Sequence, residues 1–422
     1  MTDFLPFAVL LLLMIVLIGF FNEKVTKLTY EISLMLFSVF IGGALTFIIA
    51  SSHDKTVNQI LEGLVLFDIE DFLMEGVLCF MLFAGACQMK LSDFKRLARP
   101  VSVLSFLCTF LGAVFYGALF YGASYLLGLQ FSFPMCLMFG SIVAPTDPIA
   151  ATSILNKFGL PADTSFLIEG ESLLNDGVGV ALFVCFSGMV RKSAGESFFV
   201  VMFRELFGAI AIGAAVTFVF FFIFRHTEDE KRRIFVSLLS VALSYLLCEI
   251  FNCSGAIASV VCGVLFASFR LSYEEKNGKM DLAEFDSFWE VMDNLLNSIL
   301  YVILGLTFIR IVQMPTVLIL SATAILCNFL ARYLSVFVST FFMGTLPDGF
   351  GKNGFSALLT WGGLRGGLCI ALAMSTDPMI SDDIYRIVLG CTYAIVFFTT
   401  VIQGLTMKKV YRMIRPDLER AG

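Results

Sequence analysis

Ala144-Pro145-Thr146-Asp147-Pro148 sets a carboxylate between two prolines, inside an otherwise apolar run over 133–157. A second cluster, Gly170-Glu171-Ser172-Leu173-Leu174-Asn175-Asp176, lies in the next apolar run, over 165–189. An acid near a bilayer centre costs about 3 kcal/mol or more, so such residues face a polar cavity or an ion path. Proline removes a backbone donor, so the first run must contain non-helical backbone. Acids in these positions point to ion transport.

Working outward, the 422-residue chain is 58% hydrophobic and only 15% charged, too few charges to coat a soluble domain of this length. Its mean hydropathy is +0.90. The charges fall in short breaks between runs long enough to cross about 30 Å of hydrocarbon. This is the pattern of an all-α polytopic membrane protein embedded in a lipid bilayer. The net charge of −6 says little about partners, because it is divided between two faces. No basic, aromatic-interleaved stretch lies outside the apolar runs, so nucleic acid is not an expected partner. The 47 phenylalanines read as packing and lipid-facing bulk. The 11 cysteines are odd in number, mostly inside apolar runs and without a CxxC pair, which argues against disulfides and structural zinc. His53 and His226, the only histidines, fall in loops, so a histidine-liganded metal is not expected. Met1-Thr2-Asp3 lacks a basic n-region and runs directly into a long apolar segment, so a retained first helix is expected in place of a cleaved signal peptide.

The apolar runs predict thirteen spans: 4–21, 32–50, 71–88, 101–127, 133–157, 165–189, 198–225, 234–251, 254–270, 288–312, 315–343, 353–376 and 385–405. Residues 58–67 could form an interfacial helix. With this count, Lys55, Arg191, Lys192 and Arg386 fall on one side, and the other loop lysines and arginines, from Lys24 to Arg420, fall on the opposite side. The basic side is cytoplasmic, which puts the N-terminus outside and the C-terminus in the cytoplasm. Span twelve carries a second break, Trp361-Gly362-Gly363-Leu364-Arg365-Gly366-Gly367. Broken spans in both halves are the mark of inverted-repeat transporters, with the substrate bound near the midplane. The register is approximate: span five is fourth of spans 2–7, and span twelve is fifth of spans 8–13.

On span six, Ser172 and Asp176 are four residues apart and share one helix face. Glu171 and Asn175 form an adjacent stripe, and Asn175 joins Asp176, Asp147, Thr146 and Ser172 as a candidate ion- and proton-binding residue. Asp147 and Thr146 come from the neighbouring broken span. Asp176, Asp147, Thr146 and Ser172, with backbone oxygens and water, could form an oxygen cage for an alkali cation, since hard cations choose oxygen. A partly desolvated carboxylate can hold a proton or a metal ion, not both, and that exclusion suffices for antiport. Plainer roles stand beside these. Asp147 could cap the half-helix after Pro148, Asn175 could brace the break, and Ser172 and Thr146 could hydrogen-bond between helices. For Glu171 a structural role is favoured, because Arg332 in span eleven offers a buried partner. Glu169 could line the cytoplasmic funnel, and Arg365 could neutralise helix-end carbonyls at the break in span twelve.

In order and spacing these motifs resemble the NhaP-type sodium/proton antiporters, relatives of the NHE exchangers. The resemblance covers nearly the whole chain. It is carried by Ala144 to Pro148, Glu169 to Gly177, Ser254-Gly255-Ala256-Ile257-Ala258, Phe288-Trp289-Glu290 with Leu296-Asn297-Ser298, Ala331-Arg332, and Gly362 to Gly367. It implies a thirteen-helix NhaA-like inverted-repeat fold, a homodimer, and a core (around 133–189 and 315–376) that moves against a dimerisation domain. Asp176 would be the principal cation and proton carrier, completed by Asp147, Thr146 and Ser172, with Glu171 and Arg332 as an ion pair. An Asn175-Asp176 pair, as opposed to two aspartates, goes with electroneutral one-for-one exchange of sodium or lithium for a proton. No cofactor beyond these ions is implied, and the expected location is a bacterial inner membrane. Some members carry a third-span glutamate after a Leu-Phe pair; here Leu82-Phe83 is followed by Ala84. The chain ends soon after Arg420, so no cytoplasmic regulatory domain is expected, and regulation would come from pH acting on the site carboxylates.

Residue identities alone leave potassium/proton exchange on the same fold open. A channel would also tolerate intramembrane acids. An intramembrane aspartyl protease needs two buried aspartates too, but typically within Tyr-Asp and Gly-x-Gly-Asp, whereas Asp147 follows Thr146 and Asp176 follows Asn175.

Overall fold

Capping and breaking residues set where the helices begin and end. Ser132 accepts a hydrogen bond from the Met135 amide, with Pro134 in the first turn beyond it, and starts one helix. Asp229 does the same for another through the Lys231 amide at 2.8 Å. The computed structural model describes residues 4–51, 77–89, 91–156, 159–191, 198–277, 282–307, 315–344, 346–347 and 350–415. The expected interfacial helix at 58–67 lies outside these residues, as do parts of the third and tenth expected spans.

In chain order the helices are α1 Phe4–Phe21, α2 Tyr30–Ser51, α3 Leu78–Gln88, α4 Leu91–Ser102, α5 Thr109–Leu126, α6 Phe133–Ile142, α7 Ile149–Asn156, α8 Ala162–Val190 and α9 Phe198–Phe203. They continue as α10 Ala209–His226, α11 Glu230–Ile250, α12 Gly255–Asn277, α13 Ala283–Thr307, α14 Pro315–Thr340, α15 Lys352–Gly362, α16 Gly367–Met374, α17 Asp382–Phe397 and α18 Gly404–Ile414. Short π-helical turns run α4 into α5, α9 into α10 and α17 into α18 without a break. No strand is found among the described residues. Seven helical stretches there are long and apolar enough to cross a membrane, and several shorter apolar helices accompany them. The chain is an all-helical integral membrane protein.

Several helices outrun their apolar runs. The expected span at 101–127 begins as helix at Leu91, through an amphipathic segment that includes Pro100. Arg96 on this segment grips Asp163 at the start of α8 with two 2.6 Å hydrogen bonds. The span expected to end at 405 continues to Ile414 through a similar basic, amphipathic turn. Hydropathy marks only the part that meets lipid; the helix goes on wherever one face still has something to pack against.

Phenylalanine serves both expected roles. Phe199 and Phe47 are 80% and 74% exposed, as lipid-facing residues should be. Phe83, Phe224, Phe266 and Phe285 instead belong, with Trp289, to a buried cluster that joins α3, α10, α12 and α13. The Trp289 ring centroid is 4.5 Å from that of Phe83, and its indole N–H donates to Ser237 at 3.1 Å. Close backbone approach does the same job where α5 meets α6. A Cβ at Gly140 would overlap the Ala113 carbonyl. Gly140→Ala should therefore destabilise the protein by about 1–3 kcal/mol through overpacking. Thermal unfolding in detergent would read this as a lower midpoint; an unchanged midpoint would mean that the two helices can move apart at no cost.

Candidate functional site

The two proline- and glycine-broken segments cross each other. α6 ends at Ile142 and helix resumes at α7; α15 ends at Gly362 and resumes at α16. Where the extended pieces meet, the Asp147 amide donates to the Leu364 carbonyl at 2.8 Å, an isolated antiparallel bridge. Broken helices leave carbonyls without partners, and buried ones must find donors. Here the donor is Arg365, 3% exposed. Its guanidinium reaches the Ala144 and Pro145 carbonyls at 2.5 and 2.8 Å and Asn328 at 3.1 Å. Thr399 accepts from the Arg365 amide at 3.0 Å, and Thr400 donates to its carbonyl at 3.1 Å.

One expectation is corrected by this arrangement. Arg365 neutralises carbonyls at the opposite break, not at its own, because the crossing brings that extended segment within reach of the side chain. The carbonyls of Ala144 and Pro145, next to Thr146 in the break, accept hydrogen bonds from this guanidinium.

Thr146 sits at the meeting point of its own break and α8. Its amide donates to Asn175 Oδ1 at 3.3 Å, which turns the Asn175 Nδ2 towards Thr146 Oγ1 at 2.8 Å. Thr146 Oγ1 and Ser172 Oγ are 2.8 Å apart. Asn175 thus braces the break, in line with the plainer of its two expected roles. Either hydroxyl can donate in the Thr146–Ser172 pair, since Thr146 Oγ1 has a second lone pair beyond the one that accepts from the Asn175 amide. The remaining lone pairs of the two hydroxyls are then available to a cation.

Asp147, Asp176, Thr146 and Ser172 all line one cavity of about 920 Å³. Both carboxylates are half-buried. Glu169 lines the same cavity, as expected of a funnel residue, and accepts from Ser165 at 3.0 Å. Glu171 does not line it. One residue of helix rotation turns it towards α14, where Arg332 donates to its two oxygens at 2.5 and 3.0 Å. Both partners are buried, at 1% and 5% exposed. The acids of α8 are thus separated by facing: Asp176 to the cavity, Glu171 to a neutralising partner inside the protein.

Comparison with known proteins places this geometry. The model of the family described as sodium/hydrogen exchanger, transmembrane, matches residues 9–412. The chain belongs to the sodium/hydrogen exchanger family. The Na(+)/H(+) antiporter NhaP of Pseudomonas aeruginosa is 28% identical over 354 residues, 82% of each chain. The Na(+)/H(+) antiporter NhaH of Halobacillus aidingensis is 30% identical over 325 residues, 75% of this chain and 76% of the relative. Among solved structures, the sodium proton antiporter MjNhaP1 of Methanocaldococcus jannaschii superposes with a TM-score of 0.77 at 20% identity, covering 99% of this chain and 100% of that one. The last of these speaks for the fold alone.

Within this exchanger-family chain, the position of Ala84 is also explained. Ala84 is fully buried in the Trp289 cluster, on the face of α3 turned away from the cavity. Leu78, Met81, Leu82, Gly85 and Gln88 are the α3 residues that line the cavity wall. α13 supplies residues that sequence reasoning missed. Asp293 and Asn297 line the cavity, and the Tyr301 hydroxyl donates to Asp147 Oδ2. A polar residue every four positions (Asp293, Asn297, Tyr301) was the available signal, although such a stripe on its own does not say which way it faces.

Proposed function

We propose that this protein is an electroneutral sodium (or lithium)/proton antiporter, exchanging one cation for one proton by alternating access. One observation carries the reading: two carboxylates and two hydroxyls meet on one cavity at the crossing of two broken helices. A bare carboxylate in a partly dry cavity is costly, so it takes up either a proton or a cation. Asp176 is the shared carrier, and Asp147, Thr146 and Ser172 complete the oxygen set. Asn175 sits beside Asp176 as a brace and has no proton to exchange. That leaves one titrating acid fewer than a pair of aspartates would give, in keeping with one proton per cation. Such exchange moves no net charge and is blind to the membrane potential, which would otherwise weigh in at about 2.3 kcal/mol per charge per 100 mV.

On this reading the chain crosses a bacterial inner membrane thirteen times as one transporter unit, N-terminus outside and C-terminus cytoplasmic. It works as a homodimer in which the inverted-repeat core, around 133–189 and 315–376, moves against the remaining helices. The crossing of the two breaks supports such a core, because it ties both halves of the chain to one site. Proteoliposomes with a trapped pH indicator, voltage-clamped with valinomycin and equal potassium on both sides, test it. Sodium or lithium should move protons and choline should not, at a rate independent of clamping. A response to potassium gradients alone would reassign the cation, and a rate that follows the imposed potential would end the electroneutral assignment.

A further inference from the structure

Asp147 has a partner that the exchange cycle just described does not use. Tyr301, 1% exposed, projects from α13 and donates its hydroxyl hydrogen to Asp147 Oδ2. α13 packs on α2 and α3 and contributes Asp293, Asn294, Asn297 and Leu300 to the cavity lining. Its neighbour Leu300 seats against Gly367, where α16 begins. A Cβ at Gly366 would lie 3.0 Å from the same Oδ2, so that oxygen is held between a side-chain-free turn and the phenol. The hydroxyl hydrogen carries partial positive charge. A cation arriving on this oxygen meets it head on, and the two repel.

We propose that Tyr301 is a positioning residue that occupies the Asp147 carboxylate while the site lacks a cation and gives it up when a cation binds. The inference rests on the antiport reading above and adds to it a residue that tunes cation affinity. The bond favours the empty site over the loaded one, so affinity is lower than the oxygen cage alone would give, which eases release of the ion on the far side. By linkage, a group that stabilises only the cation-free form weakens cation binding by the same factor.

Tyr301→Phe removes only the hydroxyl from a buried, tightly enclosed ring and keeps its volume. Thermal unfolding of the purified full chain, wild type and variant, in choline chloride and in sodium chloride at one pH and ionic strength, reads the effect. The variant should unfold at a lower temperature in choline, and the difference should vanish at saturating sodium. The sodium concentration for half-maximal stabilisation should fall about three- to tenfold, and the sodium KM in proteoliposomes should fall with it. An equal deficit in both salts would make Tyr301 a structural contact and overturn the proposal. A midpoint that rises would make it a cation ligand instead. A sodium response with an unchanged midpoint overturns the Tyr301 assignment and leaves antiport standing; no response in the wild type, to sodium or to potassium, overturns both.

Discussion

Asp176→Asn is expected to reduce cation-driven proton movement to the level of empty liposomes. Asparagine matches the shape of aspartate, so the half-buried position on α8 stays filled and the helix stays intact. It cannot take up a proton, so one half of the exchange has no carrier. It also removes a charge from the cation site. At a separation of about 4 Å and an effective dielectric of about 20, an ion and a carboxylate attract by about 4 kcal/mol, roughly three orders of magnitude in affinity. Asp147 remains on the cavity, with its Oδ2 engaged by Tyr301. Uptake of sodium against a proton gradient, measured on protein that elutes as wild type does in size-exclusion chromatography, decides the matter. Exchange above about a tenth of the wild-type rate would move the carrier role to Asp147.

The second large effect is on stability. Glu171 and Arg332 form a two-point ion pair with both partners buried, so removing either leaves an uncompensated charge. Such losses cost about 3–5 kcal/mol, whereas replacing both partners by apolar residues of similar volume is often close to neutral. Glu171→Gln and Arg332→Met should each lower the unfolding temperature in detergent markedly, and the double variant Glu171→Leu/Arg332→Met should recover most of the loss. The position of the pair gives a second consequence. Arg332 Nε lies 2.8 Å from where a Cβ would stand at Gly363, so the pair also buttresses the break between α15 and α16. If the double variant is as stable as wild type yet exchanges poorly, the pair holds the break in shape. If single and double variants are equally unstable, the charges are not what stabilises this region, and packing is.

Much of the candidate site is legible in the amino-acid sequence. Asp147, Asp176, Thr146 and Ser172 group together because a helix repeat places residues four apart on one face, and because acids in apolar runs are rare and costly. Glu171 stands apart from them for the same reason: it is one residue, about 100° of helix rotation, off the cavity face. The carbonyl chemistry at the breaks is not legible in this way. Pro145 and Gly363 announce that helices will be interrupted, but which donor satisfies the exposed carbonyls depends on which elements cross there. Arg365 is far from Ala144 along the chain and adjacent to it in space, so its position in the chain points to the wrong break. Asn328, Thr399 and Thr400 give no signal of their own, because hydroxyl and amide residues inside helices usually bond their own preceding turn.

Three properties of this chain follow from its residues without reference to packing: it is an all-helical membrane protein, its backbone must break at known places, and certain acids carry more cost than structure alone would justify. These rest on local chemistry: hydrocarbon excludes charge, proline lacks an amide hydrogen, and helical spacing assigns faces. Other features come from the folded molecule alone. The two breaks cross, Arg365 serves the other break, Ala84 faces an aromatic core and not the cavity, and Tyr301 reaches Asp147. Each of those depends on how helices distant in sequence are stacked and rotated against one another. Long-range packing sets that, and no local pattern encodes it.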